Sequence, residues 1–135
     1  MSAILFLMAI DWVMRRTTND KKRGIRWKIN TVLEDLDFAD DIALLAHTHE
    51  HMQEKTERLS EVANTIGLSI SETKTEVMTL NITNSTAIKV FDKDLPTTER
   101  FTYLGSIIRS DGGACDDIKS RIAKARNTYI LLNNV

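Results

Sequence analysis

Two adjacent carboxylates, Asp40 and Asp41, lie between two apolar runs, and this pattern limits what the segment can form. Residues 33–38 are apolar with acids interleaved, and residues 42–46 are all apolar. Two such runs around a short polar break predict a β-hairpin over residues 32–46, with Asp40 and Asp41 at its tip. Adjacent like charges repel each other unless a cation lies between them. Carboxylate oxygens at this density suit Mg²⁺, so the tip is a predicted metal site.

The charges of the chain are segregated, although the formal net charge is only -1. Residues 15–28 carry seven basic side chains and one acid, and residues 119–126 carry four basic side chains and no acid. Acids dominate residues 29–99. Basic flanks around an acidic centre are typical of a protein that holds a polyanion at its edges and a metal between them. For either basic run alone, a solvated surface is the simpler interpretation.

Length and composition predict a globular intracellular protein. The 135 residues, 42% of them hydrophobic, suffice for one compact domain. Cys115 is the only cysteine, which predicts a reducing intracellular setting, nucleus and cytoplasm being indistinguishable. Residues 1–10 are apolar but lack the basic start of a secretion signal, and ten residues are too few to span a bilayer. They predict a core helix over residues 2–16, covered by chain that comes before it, and no membrane partner.

The remaining patterns predict an α+β fold. A second helix is predicted from the N-cap Thr48 to Gly67, and a third along the apolar stripe from Ile118 to Leu132. Further strands are predicted at residues 25–29, 75–80, 88–91 and 100–108. The resulting order α-β-β-β-α-β-β-β-α is typical of a mainly antiparallel sheet with helices on one side.

The residues around the carboxylates resemble a known family. The chain is similar to non-LTR retrotransposon reverse transcriptases in four segments, which occur in the same order. They are residues 36–45, which contain Phe38-Ala39-Asp40-Asp41, and residues 66–70, 74–78 and 101–106. The opening segment, residues 5–12, resembles the helix that follows the Gln-Gly motif of that family. The likeness covers nearly the whole chain. It implies the second half of a polymerase palm over residues 1–109 and the start of a thumb-like helical region over residues 110–135.

The resemblance implies an RNA-directed DNA polymerase that uses two-metal-ion nucleotidyl transfer. Its implied partners are an RNA template, a DNA primer and deoxynucleoside triphosphates, and its implied cofactor is Mg²⁺, with Mn²⁺ as an alternative. Asp40 is the implied bridging metal ligand and Asp41 its partner, and Phe38 is expected to pack beneath the turn. Lys74 is implied to neutralise the leaving pyrophosphate, an ordinary surface lysine being the alternative.

Two nucleic-acid contacts are implied as well. The segment that resembles the primer-grip hairpin contributes Phe101, Tyr103, Leu104 and Gly105, and the alternative for it is a core hairpin. The thumb-like helix contributes Arg121, Lys124 and Arg126, which are expected to follow the template–primer backbone without reading sequence.

The family's first catalytic aspartate, its template-gripping fingers and its Gln-Gly motif are not in this sequence. A site without one of its carboxylates is expected to hold Mg²⁺ weakly, so these 135 residues alone are predicted to be inactive. The missing N-terminal half of the polymerase is a predicted partner. The alternative is a non-catalytic palm remnant that binds nucleic acid or docks on a partner.

Three other patterns are weaker. The histidines His47, His49 and His51 have no cysteine nearby. The start Asp35-x-Asp37 lacks the later ligands of a calcium loop. The pair Ser71 and Lys74 matches the Ser-x-x-Lys of serine acylases without its companion motifs.

Overall fold

The computed structural model of the chain describes residues 2–19, 22–80 and 86–133. Within these ranges the helices are α1 (Ala3–Thr18), α2 (His49–Thr65) and α3 (Cys115–Asn133). The strands are β1 (Ile25–Lys28), β2 (Thr31–Leu33), β3 (Asp35–Phe38), β4 (Asp41–Leu44), β5 (Lys89–Val90), β6 (Lys93–Asp94), β7 (Arg100–Tyr103) and β8 (Ser106–Arg109). The α+β class is confirmed. No helix in the described ranges is both long enough and apolar enough to cross a membrane.

The strands pair as four separate antiparallel hairpins: β1 with β2, β3 with β4, β5 with β6 and β7 with β8. The prediction of one sheet is therefore wrong for the described part of the chain. The strand predicted at 75–80 is reduced there to a single bridge between Val77 and Thr97, because no strand lies alongside to continue the ladder. The strand predicted at 100–108 is two strands, because Leu104 and Gly105 take φ angles of 48° and 83° and reverse the chain.

The chain divides into two compact units. The first comprises Met1–Thr75 and Ser85–Pro96, and the second comprises Glu76–Asn84 and Thr97–Val135. Helices α1 and α2 and the first three hairpins belong to the first unit, and β7, β8 and α3 belong to the second. The palm–thumb boundary at residue 109 stays a prediction.

The core of the first unit forms where α1 and α2 pack together. Its buried members are Ile10, Val13 and Met14 of α1 and Leu59, Val62 and Ala63 of α2. Their three- and four-residue spacing gives each helix one apolar face, and each large aliphatic side chain contributes roughly 1.5–3 kcal/mol when fully buried. The prediction of a core helix holds only for the second half of α1, because Ile4, Leu5, Leu7 and Met8 are exposed in the described structure.

Both predicted ends of α2 are confirmed. The backbone N–H of His51 donates to Oγ1 of Thr48 at 3.2 Å, so Thr48 is the N-cap. At the other end, Gly67 has a φ of 76°, and the N–H of Leu68 donates to the carbonyl of Ala63 at 3.0 Å. This pairing is a Schellman motif, which satisfies carbonyls that the helix end would leave open. The fixed ends set the position of Lys55 in the middle of the helix.

Candidate functional site

The predicted hairpin over the acidic segment is confirmed as β3 and β4. Phe38 pairs with Asp41, and the turn between them consists of Ala39 and Asp40. The tip therefore lies one residue earlier than predicted. Asp40 is on the turn, whereas Asp41 is the first residue of β4, and both are exposed.

The register of the hairpin decides which side chains share a face. Ile42 and Leu44 pack against the core between α1 and α2. Because side chains alternate along a strand, Asp41 lies on the opposite face. Its cross-strand partner Phe38 shares that face and is 63% exposed. The expectation that Phe38 packs beneath the turn is therefore wrong.

Ala39 takes a left-handed backbone conformation, with φ at 56°. A residue with a Cβ pays roughly 1–2 kcal/mol for this region. The two-residue connection between Phe38 and Asp41 imposes it, because tight hairpin turns require positive φ at one or both central positions. Strain of this kind clusters at functional sites, and here it lies beside both carboxylates.

The tip offers two carboxylates and no larger cluster. Across the described ranges, no group of three or more His, Cys, Asp or Glu side chains is close enough to hold a metal ion. Mg²⁺ commonly takes one or two protein carboxylates and completes its shell with waters and substrate phosphates. Two carboxylates are a number that Mg²⁺ commonly takes, and the role of Asp40 and Asp41 as its ligands stays a prediction.

A buried lysine holds the base of this hairpin. Lys55 of α2 is 1% exposed, and its Nζ donates to Oε2 of Glu34 at 2.5 Å. The same Nζ donates to the carbonyls of Glu34 and Leu45, at 3.0 Å and 2.6 Å. Glu34 and Leu45 are the residues just outside the two strands, and the N–H of Leu45 donates to the carbonyl of Glu34 at 2.9 Å. The ammonium thus joins α2 to both strand ends at once.

The pKa values of two neighbouring carboxyl groups at this base, Glu34 and Asp35, are shifted in opposite directions. Burial acts to raise the pKa of Glu34, but hydrogen bonds from Lys55 and from the backbone N–H groups of Gly24 and Arg23 outweigh it and hold the pKa below its ordinary value. Burial raises the pKa of Asp35, and the charge of Asp37 raises it further. Glu34 is therefore stabilised as an anion, whereas Asp35 is not.

Sequence reasoning missed Lys55, because a lysine in a polar helix is normally read as a surface residue. Its spacing carried the signal, because Lys55 lies four residues before Leu59 and seven before Val62, on the buried face of α2. A lysine in register with an apolar face is a candidate for a buried partner.

A comparison with known families decides the class of the chain. The family model described as reverse transcriptase (RNA-dependent DNA polymerase) matches residues 1–108 of the 135. This chain belongs to the reverse transcriptase family. Neither the curated proteins nor the solved structures compared with the chain gave a significant match. The family match spans α1, α2 and the β3–β4 hairpin.

Lys74 of this reverse transcriptase chain lies in a turn of the first unit. Its N–H donates to the carbonyl of Ser71 at 3.1 Å, and its side chain is exposed. Neighbouring Glu72 pairs with Lys93 at 2.6 Å. Lys74 makes no ion pair with any residue in the described ranges, so its charge is open to an external anion. Its catalytic role stays a prediction.

The segment that resembles a primer grip is a hairpin of the second unit. Tyr103 pairs with Ser106 across the turn, and the rings of Phe101 and Tyr103 stack with centroids 6.4 Å apart and planes 23° apart. Leu104 is exposed at the turn beside Gly105. The hairpin geometry is confirmed, and its contact with a primer stays a prediction.

The three basic residues predicted on the thumb-like helix differ in their contacts. Arg121 Nε donates to Asp117 at 2.7 Å, and its Nη2 donates to Oγ of Ser106 at 2.6 Å, which ties α3 to β8. Lys124 and Arg126 are exposed and make no ion pair within the described ranges. Lys124 and Arg126 are therefore more available to a phosphate than Arg121. The apolar stripe predicted on α3 is not buried anywhere in the described part of the chain.

The histidine trio does not converge on one point. The N–H of Arg26 donates to Nε2 of His47 at 3.3 Å, and a ring nitrogen of His49 lies 3.3 Å from the carbonyl of Ala87. His51 contributes to the start of α2 through its backbone N–H. Each histidine serves a separate local contact.

Proposed function

We propose that the chain is part of an RNA-directed DNA polymerase of the non-LTR retrotransposon type, comprising the second half of its palm and the start of its thumb. The family match supports the general class. The observation that carries the site is the β3–β4 hairpin, which presents Asp40 on its turn and Asp41 beside it. An RNA template, a DNA primer and deoxynucleoside triphosphates are the proposed partners.

Within this proposal, Asp40 and Asp41 hold the divalent cation, Mg²⁺ or Mn²⁺, at the tip of the hairpin. When bound, such ions lower the pKa of an attacking hydroxyl and clamp an in-line displacement at phosphorus. Asp40 would be available to hold the ion, since its side chain makes no hydrogen bond or ion pair with any described residue. Lys55 keeps the hairpin base on α2, so that the carboxylates stay in place while substrate binds.

The remaining residues are assigned separate contacts with the substrates. Lys74 stabilises negative charge on the leaving pyrophosphate, a role for which an unpaired ammonium is suited. The β7–β8 hairpin holds the primer terminus through Phe101 and Tyr103. Lys124 and Arg126 follow the phosphate backbone, and Arg121 supports them by fixing α3.

We further propose that residues 1–135 alone extend no primer, because two carboxylates place a pair of metal ions poorly. The test is primer extension on an RNA template with Mg²⁺, in which the wild-type chain should incorporate no more deoxynucleotide than the Asp40→Ala variant. Incorporation that disappears in Asp40→Ala would overturn this part of the proposal.

Isothermal titration with Mg²⁺ tests the site itself. The wild-type chain should release or absorb heat on binding Mg²⁺, and Asp40→Asn should abolish this heat. The control is Asp37→Asn, which removes another exposed carboxylate of the same hairpin and should leave the heat unchanged. Equal heat in wild type and Asp40→Asn would contradict the assignment.

A non-catalytic palm remnant is the second candidate function. The observation that favours it is that no third His, Cys, Asp or Glu in the described ranges joins Asp40 and Asp41 in a group that could hold a metal ion. Such a remnant would bind a template–primer duplex or a partner chain without binding Mg²⁺. Duplex binding that persists in Asp40→Asn, together with no metal-dependent heat, would select this function.

A further inference from the structure

We propose that the β1–β2 hairpin is a further nucleic-acid contact, which binds a single strand through phosphate charge and base stacking. The surface consists of residues 22–33, called here the basic hairpin. It is separate in sequence from the acidic tip, from the primer-grip segment and from α3. Its binding requires no metal ion at Asp40, so the two proposals stand or fall independently.

Three of the four basic side chains of the basic hairpin have no ion-pair partner among the described residues. Residues 22–33 contain Lys22, Arg23, Arg26 and Lys28 and no acid. Only Arg23 is paired, with Glu54. The other three side chains make no ion pair with any described residue and are exposed.

Two other exposed basic side chains of the same unit are neutralised locally. Arg15 pairs with Asp11 at 2.9 Å, and Lys93 pairs with Glu72 at 2.6 Å. Free cations grouped on one hairpin are therefore a local feature of the unit, and they attract a polyanion.

An exposed aromatic ring lies within this charge. Trp27, between Arg26 and Lys28, is 67% exposed. The other tryptophan, Trp12, is 39% exposed and is covered by the guanidinium of Arg16, 4.7 Å from the ring centroid. An uncovered indole beside cations is the arrangement on which bases of a single strand stack while their phosphates are neutralised.

The ladder places Trp27 at an irregularity. Arg26 pairs with Val32 and Lys28 pairs with Thr31, so the register shifts between them and Trp27 has no cross-strand partner. Bulges of this kind re-aim a side chain and are often found at functional positions.

The base of the hairpin is fixed by close contacts. A Cβ on Gly24 would lie 2.0 Å from the carbonyl oxygen of Leu33, so only glycine allows this approach. The N–H of Arg26 donates to His47, and the guanidinium of Arg23 pairs with Glu54 of α2. Because the backbone is held at these points, little ordering remains to be done when a ligand binds.

Nucleic acid is favoured over an anionic lipid surface by two observations. The chain belongs to a polymerase family whose substrates are nucleic acids in general. The exposed apolar area of the basic hairpin is limited to Trp27 and Ile29, whereas membrane-surface binding draws on a broad apolar face.

The fluorescence of Trp27, measured in a variant that lacks the other tryptophan, tests the stacking directly. The chain has two tryptophans, so Trp12→Phe leaves Trp27 as the reporter and Trp27→Phe leaves Trp12. Each protein is titrated at low salt with a uridine dodecanucleotide in the presence of EDTA. Saturable quenching in Trp12→Phe and none in Trp27→Phe is expected. Equal quenching in both, or none in Trp12→Phe, would overturn the proposal.

Charge-matched variants test the phosphate contacts. The double variant Arg26→Gln/Lys28→Gln should bind the dodecanucleotide about ten-fold more weakly, and its salt dependence should fall by about 1.4 in logarithmic slope. The control Lys89→Gln/Lys93→Gln removes the same charge from exposed positions of the β5–β6 hairpin, where both lysines are paired. It should bind like the wild type.

Equal weakening in both double variants would mean that only net charge matters, which would overturn the proposal. Vesicles containing phosphatidylserine provide the second arm. Binding of Trp27 to vesicles but not to the dodecanucleotide would show a lipid contact instead. Circular dichroism and thermal unfolding confirm that each variant is folded before it is titrated.

Discussion

The ammonium of Lys55 lies 2.5 Å from Oε2 of Glu34, although the two residues are 21 positions apart in the chain. The lysine side chain is 1% exposed and the glutamate side chain 15%. This pair fastens the acidic hairpin to α2 at the end opposite to Asp40 and Asp41. The position of the candidate metal ligands thus depends on a buried ion pair away from the tip.

Removing one member of the Lys55–Glu34 pair should lower the free energy of unfolding substantially. Lys55→Met leaves the buried carboxylate of Glu34 without its partner, which typically costs about 3–5 kcal/mol. The measurement is the free energy of unfolding in urea at pH 7. Lys93→Met, which breaks the exposed pair with Glu72, is the matched control and should cost less than about 1 kcal/mol. Similar small losses in both variants would contradict the role given to Lys55.

The lowered pKa of Glu34 predicts a loss of stability in acid. Its folded-state pKa lies below its ordinary value of 4.5, so its contribution is complete above that value and is lost as pH falls through the folded-state pKa. Unfolding free energies of wild type and Glu34→Gln should differ at pH 7 and converge in acid. A difference that is independent of pH would show that the charge of Glu34 does not stabilise the fold.

Asp35 should behave in the opposite way. Its folded-state pKa is raised above its ordinary value of 3.8, so its ionised form opposes folding at neutral pH. The opposition disappears once pH falls below 3.8, where the carboxyl is protonated in both states. Asp35→Asn should therefore be more stable than the wild type at pH 7 and about equally stable in acid. Asp35→Asn that is less stable at pH 7 would contradict the burial of this carboxylate.

Replacing Ala39 by glycine should increase the stability of the fold. Ala39→Gly removes the steric cost of a φ of 56° while adding freedom to the unfolded chain, and the net gain should be up to about 1 kcal/mol. Ala43→Gly, at a regular β4 position of the same hairpin, is the control and should lose about 0.5–1 kcal/mol. Thermal unfolding of both variants checks the contrast, and a loss in both would argue against a left-handed residue at the tip.

The elements that sequence predicted best are those whose signals are local. The start of α2 follows from a hydroxyl at Thr48 that caps His51, and its end follows from the left-handed Gly67. The β3–β4 hairpin follows from two apolar runs around Asp40. These patterns need no knowledge of the rest of the chain.

The elements that sequence predicted poorly depend on distant partners. Whether residues 75–80 form a strand depends on a neighbouring strand, and only Val77 finds a bridge partner, Thr97, in the described ranges. The burial of Lys55 depends on Glu34, 21 residues earlier. The exposure of Phe38 depends on which hairpin face packs against α1 and α2, and periodicity alone does not select that face.

Paramagnetic broadening by Mn²⁺ tests the metal site most directly. Added at substoichiometric amounts to the labelled wild-type chain, Mn²⁺ should broaden the backbone amide signals of residues 38–42 first. In Asp40→Asn/Asp41→Asn this selective broadening should disappear, and in Asp37→Asn it should remain. Broadening that is equal in wild type and the double variant, or that centres on another acidic segment, would contradict the assignment of Asp40 and Asp41 as the divalent-metal ligands of this reverse transcriptase chain.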